Sequence, residues 1–140
     1  MKLIINYEAK YDMYPFMGYL IRCFKDRLDD LLDENKLKIY DLYLHENILF
    51  TPEHKNITYK SILYSLSNKM KIRKTQNGYE IFIDPNAYVD GTNIKIEPLC
   101  KLLNYGNQEL PPYPIIEIIF NDLANNINTY YLLYKYLRRV

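Results

Sequence analysis

The chain has 140 residues, a net charge of +1 and acids and bases mixed throughout, enough for one domain over residues 1–140 with its own core. An ordinary apolar content of 49 % excludes a disordered chain, and the even charge is a poor electrostatic footprint for duplex nucleic acid. No apolar run reaches the length of a bilayer span, and Met1–Glu8 lacks the apolar core and small-residue cleavage site of a signal peptide.

Tyrosine stands out, with Tyr 16 and Trp 0. Asparagine, isoleucine and lysine are also abundant, and all four types share A/T-rich codons. Tyrosine buries a ring while its hydroxyl stays wet, which also suits protein interfaces. Cys23 and Cys100 fall on expected helix faces and read as buried free thiols, with a reducing compartment as the default. Asn56-Ile57-Thr58 matches a glycosylation sequon, which without secretion is a chance match.

In chain order, residues 2–8 read as a short strand with no partner identified. Residues 12–34 read as a long helix. Phe16, Met17, Leu20, Ile21, Phe24, Leu28, Leu31 and Leu32 follow the i, i+3, i+4, i+7 spacing of an apolar stripe, with Met13 at its start. Pro15 fits the first turn, and Gly18 marks either a weak point or a close backbone approach. Residues 37–50 satisfy period two and period 3.6 about equally, and read as an irregular stretch followed by a short strand near Asn47–Thr51. Thr58 reads as an N-cap for a helix carrying Tyr59, Ile62, Leu63, Leu66 and Met70. Asn77-Gly78 between two β-prone runs predicts a hairpin, with Tyr79, Ile81 and Ile83 on one face and Phe82 on the other. Ile94 and Ile96 suggest a third short strand. A short helix is expected to start at Pro98 and stop at Gly106. Pro111, Pro112 and Pro114 stiffen the entry to a final helix from about Tyr113 to Arg138. Its stripe is Ile115, Ile116, Ile119, Leu123, Ile127, Tyr130, Tyr131, Tyr134 and Leu137, with Arg138 and Arg139 at its end. The expected fold class is α+β: a small antiparallel hairpin or sheet framed by long N- and C-terminal amphipathic helices.

No constellation of catalytic residues emerges. His45 and His54 lack acidic or thiol neighbours at metal-ligand spacing, and no phosphate loop, nucleophile elbow or Cys–His pair is present. The acids Asp29, Asp30, Asp33 and Glu34 lack the glycine turn of a calcium loop and read as a solvated face. No enzyme activity, cofactor or metal is expected. Lys69, Lys71, Arg73 and Lys74, with Tyr79 and Phe82 nearby, form the one basic concentration. Basic side chains beside aromatics on a β-surface are what a single-strand nucleic-acid binder would use. A solubilised hairpin with ordinary core aromatics is the plainer reading.

One stretch carries a resemblance. Ile81-Phe82-Ile83-Asp84, Gly91-Thr92 with Ile94 and Ile96, Leu99 to Leu103, Tyr105-Gly106-Asn107, and Pro112 to Ile116 leading into a helix resemble the C-terminal half of small virion proteins of tailed bacteriophages, of the neck, tail or baseplate type. The similarity covers about residues 79–135. It implies a structural component of a phage particle (head–tail connector, tail or baseplate), present in multiple copies and contacting itself and other virion proteins. It also implies a location in the virion after assembly in the host cytoplasm, and brings no catalytic residue. Under this reading Tyr105, Asn107, Tyr113, Tyr130, Tyr131 and Tyr134 are the candidate contact residues. The alternatives are a nucleic-acid-binding module built on hairpin 69–82, or a small intracellular regulator or inhibitor of one host protein. Nucleic acid and membrane are not expected as partners.

Overall fold

A computed structural model of the chain describes residues 2–6, 13–76 and 78–138, with the side chains of 14–76 and 78–137. The fold is α+β: a three-stranded antiparallel sheet in the order β1-β3-β2 is packed by helices. Strand β1 (Lys2–Asn6) pairs with β3 (Gly78–Ile83), and β2 (Met70–Thr75) pairs with the other edge of β3. The N-terminal strand thereby finds the partner that the sequence left open. Tyr7 and Glu8 of that expected strand lie outside the described residues, as does Asp12 of the first helix.

Central position explains the burial of β3. Tyr79, Ile81 and Ile83 are buried on one face, and Glu80 on the other face is only 7 % exposed. The hairpin is present, but Gly78 pairs with Thr75 inside the ladder and so belongs to the strand, not the turn. Asn77 lies outside the described residues.

Helix α1 (Met13–Leu31) buries Phe16, Met17, Leu20, Phe24 and Leu28 of the expected stripe, with Cys23 beside them, while Ile21 is half-buried, Leu31 is exposed and Leu32 lies beyond the helix end. Pro15 sits in its first turn, where the missing N–H has no helical acceptor to lose. Gly18 is exposed, and a Cβ built there would meet nothing within 4 Å, so no backbone packs against it. The helix stops at Leu31 instead of running to residue 34. Asp33 then caps a second helix, α2 (Glu34–Asn47), its Oδ1 accepting from the Asn35 N–H at 3.0 Å. The irregular stretch and the strand expected over 37–51 are therefore corrected. Leu37, Tyr40 and Leu44 make a narrow helical stripe. The N–H groups of Ile48 and Leu49 both donate to the Leu44 carbonyl and close the helix end.

Helix α3 (Tyr59–Ser65) begins with a reciprocal capping box between Thr58 and Ser61, and a 3₁₀ turn over Leu66–Lys69 leads into β2. No third hairpin strand forms at 94–96: Tyr88 and Lys95 make a single bridge, and Ile96 opens α4 (Ile96–Tyr105), two residues before the expected start. The Thr92 hydroxyl accepts from the Ile94 N–H and donates to the Val89 carbonyl, which curls this segment into a tight loop.

The expected single final helix is two: α5 (Ile115–Asn125) and α6 (Ile127–Arg138). Asn126 separates them. Its backbone N–H and its side-chain amide both donate to the Asp122 carbonyl, at 3.1 and 2.9 Å, while its backbone leaves the helical region at φ −115° and ψ 23°. Arg139 lies outside the described residues. One continuous set of buried side chains from α1 through α5 and the sheet forms the core.

Candidate functional site

The tyrosine-bearing end of the chain is aimed by the joint before it. Gly106, at φ 69° and ψ −168°, ends α4 in a region that glycine alone adopts cheaply. A Cβ there would press on the Leu110 carbonyl oxygen and lie 2.8 Å from the Pro111 carbonyl carbon and 2.9 Å from the Pro112 nitrogen. Asn107 shapes the same turn: its Oδ1 accepts from the N–H groups of Glu109 and Leu110, both at 2.8 Å. Its side chain thus serves the turn within the chain, a role other than the contact expected of it.

Tyr113 closes the joint. Its N–H donates to the Leu103 carbonyl at 2.7 Å, and its hydroxyl accepts from the Asp33 N–H at 3.1 Å. Its ring lies 6.2 Å from that of Tyr40, whose hydroxyl donates to the Pro111 carbonyl. Lys36 Nζ stands 5.5 Å from the Tyr113 ring. Together Asn35, Lys36, Ile39, Tyr40, Pro111 and Tyr113 border an open groove of about 290 Å³. Tyr105 stays outside this framework, 65 % exposed.

Helix α6 packs its candidate tyrosines inward against α1. Tyr131 meets Phe16 edge-on at 5.0 Å, and Tyr134 lies 5.5 Å from Phe16 and 5.6 Å from Tyr19. Lys135 Nζ sits 5.3 Å from the Tyr131 ring. The Tyr130 hydroxyl donates to Asp122 Oδ2 at 3.2 Å, and Arg27 Nε stands 3.2 Å from the same oxygen. Burial first, then the Asp122 carboxylate, pushes the Tyr130 phenol above its ordinary value. Tyr130, Tyr131 and Tyr134 are thus half-buried anchors that hold α6 on α1 and on Asp122 at the end of α5.

What remains on the outer side of α6 is Asn128, Thr129, Leu132, Leu133, Tyr136 and Leu137, all exposed. Leu132 and Tyr136 are each 66 % exposed, Leu137 56 % and Leu133 47 %. Leu137 was expected inward and is not. From Tyr113 to Leu137 the chain holds three charges, Glu117, Asp122 and Lys135. None lies on this outer stripe. The signal was legible in retrospect: residues 127–137 carry large apolar side chains on both faces of the helix, with Lys135 as their one charge.

The basic hairpin is differently occupied. Lys69 pairs with Asp90 at 2.6 Å, Lys71 with Asp84 at 3.2 Å and Arg73 with Glu80 at 2.7 Å. The Asn86 N–H, and next Lys71, hold the Asp84 carboxyl below its ordinary range. The Tyr79 ring is buried and meets Tyr14 edge-on at 5.6 Å, so it presents no face on which a base could stack. Phe82 is half-buried beneath the Arg73 guanidinium at 4.7 Å, and Lys74 is exposed.

The remaining candidates are structural ties. His45 Nδ1 lies 3.1 Å from the Leu49 carbonyl and Nε2 2.6 Å from the Ile57 carbonyl, while His54 Nδ1 meets the Thr51 hydroxyl at 3.0 Å. The acidic run is dispersed: Asp29 accepts from the Tyr64 hydroxyl, Asp30 faces Arg27, Asp33 caps α2 and Glu34 pairs with Lys60. Among the described residues no three His, Cys, Asp or Glu side chains converge to hold a metal ion. Among the same residues no helix is long and apolar enough to cross a membrane. Comparison with protein-family models, curated proteins and solved structures finds no match to this chain.

Proposed function

We propose that this chain is a structural component of a tailed-bacteriophage particle, at the head–tail connector, tail or baseplate, acting through protein–protein contacts. The observation that supports this most is the outer stripe of α6, where Leu132, Leu133, Tyr136 and Leu137 face solvent without a charge among them. Apolar patches of this kind mark interaction surfaces. The similarity of residues 79–135 to neck, tail and baseplate proteins supplies the setting. Within it, Tyr130, Tyr131 and Tyr134 hold the helix that makes the contact, and Tyr105 adds a second exposed ring. The particle is the working location, reached from the host cytoplasm during assembly.

Mass spectrometry of purified particles tests the proposal. The chain is expected in them in fixed stoichiometry, and its absence would overturn the virion role. For the nucleic-acid alternative, three of the four hairpin cations already face carboxylates. A filter-binding titration against salt is therefore expected to show no salt-dependent retention of single-stranded nucleic acid. A single stoichiometric host protein captured from lysate, with the chain missing from particles, would favour the regulator reading instead.

A further inference from the structure

We infer that the outer stripe of α6 pairs with the same stripe of a second copy of this chain, about a two-fold axis. The inference rests on the assembly reading and names one of its partners and the surface used. Three observations lead to a second copy.

First, two-fold pairing sets each residue near the axis against its own equivalent, so any charge on the stripe would meet a like charge. Asn128, Thr129, Leu132, Leu133, Tyr136 and Leu137 carry none. The exposed face of α1, by contrast, carries Arg22, Lys25, Asp26, Asp29 and Asp30. A neutral stripe offers nothing to a charged partner and meets no penalty against itself.

Second, the residues fall in pairs four apart, 128/129, 132/133 and 136/137, all exposed. Such rows are the ridges with which two helices interdigitate. The four large apolar side chains expose on the order of 400 Å², about half of the ~800 Å² that each partner buries in a specific interface. That suits the apolar centre of a dimer contact, with Asn128 and Thr129 at its polar rim.

Third, the groove between α2 and the joint does not complement the stripe. The groove beside Tyr40 and Tyr113 holds Lys36, and the stripe carries no carboxylate to receive its ammonium.

Sedimentation of the purified full chain over rising concentration is the test. A monomer–dimer equilibrium is expected. Two double variants, Leu132→Glu with Leu133→Glu and Leu132→Lys with Leu133→Lys, are each expected to raise the dimer dissociation constant at least tenfold. An equimolar mixture of the two should restore dimerisation, because opposite charges then face across the axis. A chain monomeric at every concentration, double variants that dimerise like the parent, or a mixture no better than either variant alone would overturn the inference. Should the double variants fail to keep the parent's circular dichroism, Tyr136→Cys replaces them. Under mild oxidation it is expected to give a disulfide-linked dimer with itself. Crosslinking only to an Ile39→Cys copy would assign the contact to the groove and overturn the two-fold. Particle composition tests the virion reading without touching the stripe, so the two can fail separately.

Discussion

Helices α1 and α6 pack on each other through the same aromatic cluster, yet their outward faces differ. The outward side of α1 carries the exposed charges Arg22, Lys25, Asp26, Asp29 and Asp30, while α6 turns Leu132, Leu133, Tyr136 and Leu137 outward. A helix with one apolar stripe is complete once that stripe is covered. A helix with two needs something on each side. The inner face of α6 is held by Phe16, Tyr19 and α5, and its outer face leaves large apolar side chains uncovered, as Leu42 and Phe50 are elsewhere.

Breaking the shared inner cluster should have the largest effect. Phe16, fully buried beneath Tyr131 and Tyr134, joins the two helices, so Phe16→Ala should cost about 3–5 kcal/mol in urea unfolding. A loss under about 1 kcal/mol would mean that α6 does not depend on α1 for its position. Gly106→Ala disturbs the joint that aims α5 and α6. The strained backbone and the crowding against residues 110–112 should together cost about 3 kcal/mol. An unchanged midpoint would remove the joint from this role.

The outward faces should respond in smaller and opposite ways. Gly18 lies on the solvated side of α1 with open space beside it, so Gly18→Ala should stabilise by about 1 kcal/mol in thermal unfolding. Destabilisation there would reveal a neighbour that the open face does not show. Leu132→Lys should change the unfolding free energy of the monomer by no more than about 0.5 kcal/mol, because its side chain supports no intramolecular packing. A loss of several times that size would make the stripe part of the core.

The last effect shows only on the alkaline side. Burial pushes the Cys100 thiol up to about 12 and moves the Tyr59 phenol in the same direction. Both groups are neutral when protonated, and both ionise more readily in the unfolded chain. Their contribution is fully present below the unfolded values, ~8.5 for a thiol and ~10 for a phenol, and is lost as pH rises toward the folded ones. Stability should therefore fall on the alkaline side, with a shallower slope in Cys100→Ala. A slope identical in the variant would rule out the thiol as a source.

What was legible follows from which interactions are local. The α1 stripe and the Thr58 cap repeat at fixed short spacings and could be read directly. The pairing of Leu3 with Ile81 could not, because nothing near either residue specifies a partner so distant in sequence. Helix α2 was obscured by its narrow stripe of Leu37, Tyr40 and Leu44, and its cap, Asp33, was hidden within an acidic run. The final helix read as continuous because its apolar spacing survives Asn126, although the Asn126 backbone leaves the helical region there. Of the expected contact residues, Tyr105 is exposed, whereas the three on α6 turn inward for a related reason. Tyrosines were sought as surface rings, but Tyr130, Tyr131 and Tyr134 reach partners on α5 and α1, which leaves the leucines outside.

Solvent protection of the outer stripe tests the central claim most directly. Tyr136→Cys would be labelled with a maleimide in the dilute purified chain and in intact particles. Rapid labelling of the dilute chain and strong protection in the particle are expected. Equal labelling in both would contradict a contact through the outer face of α6.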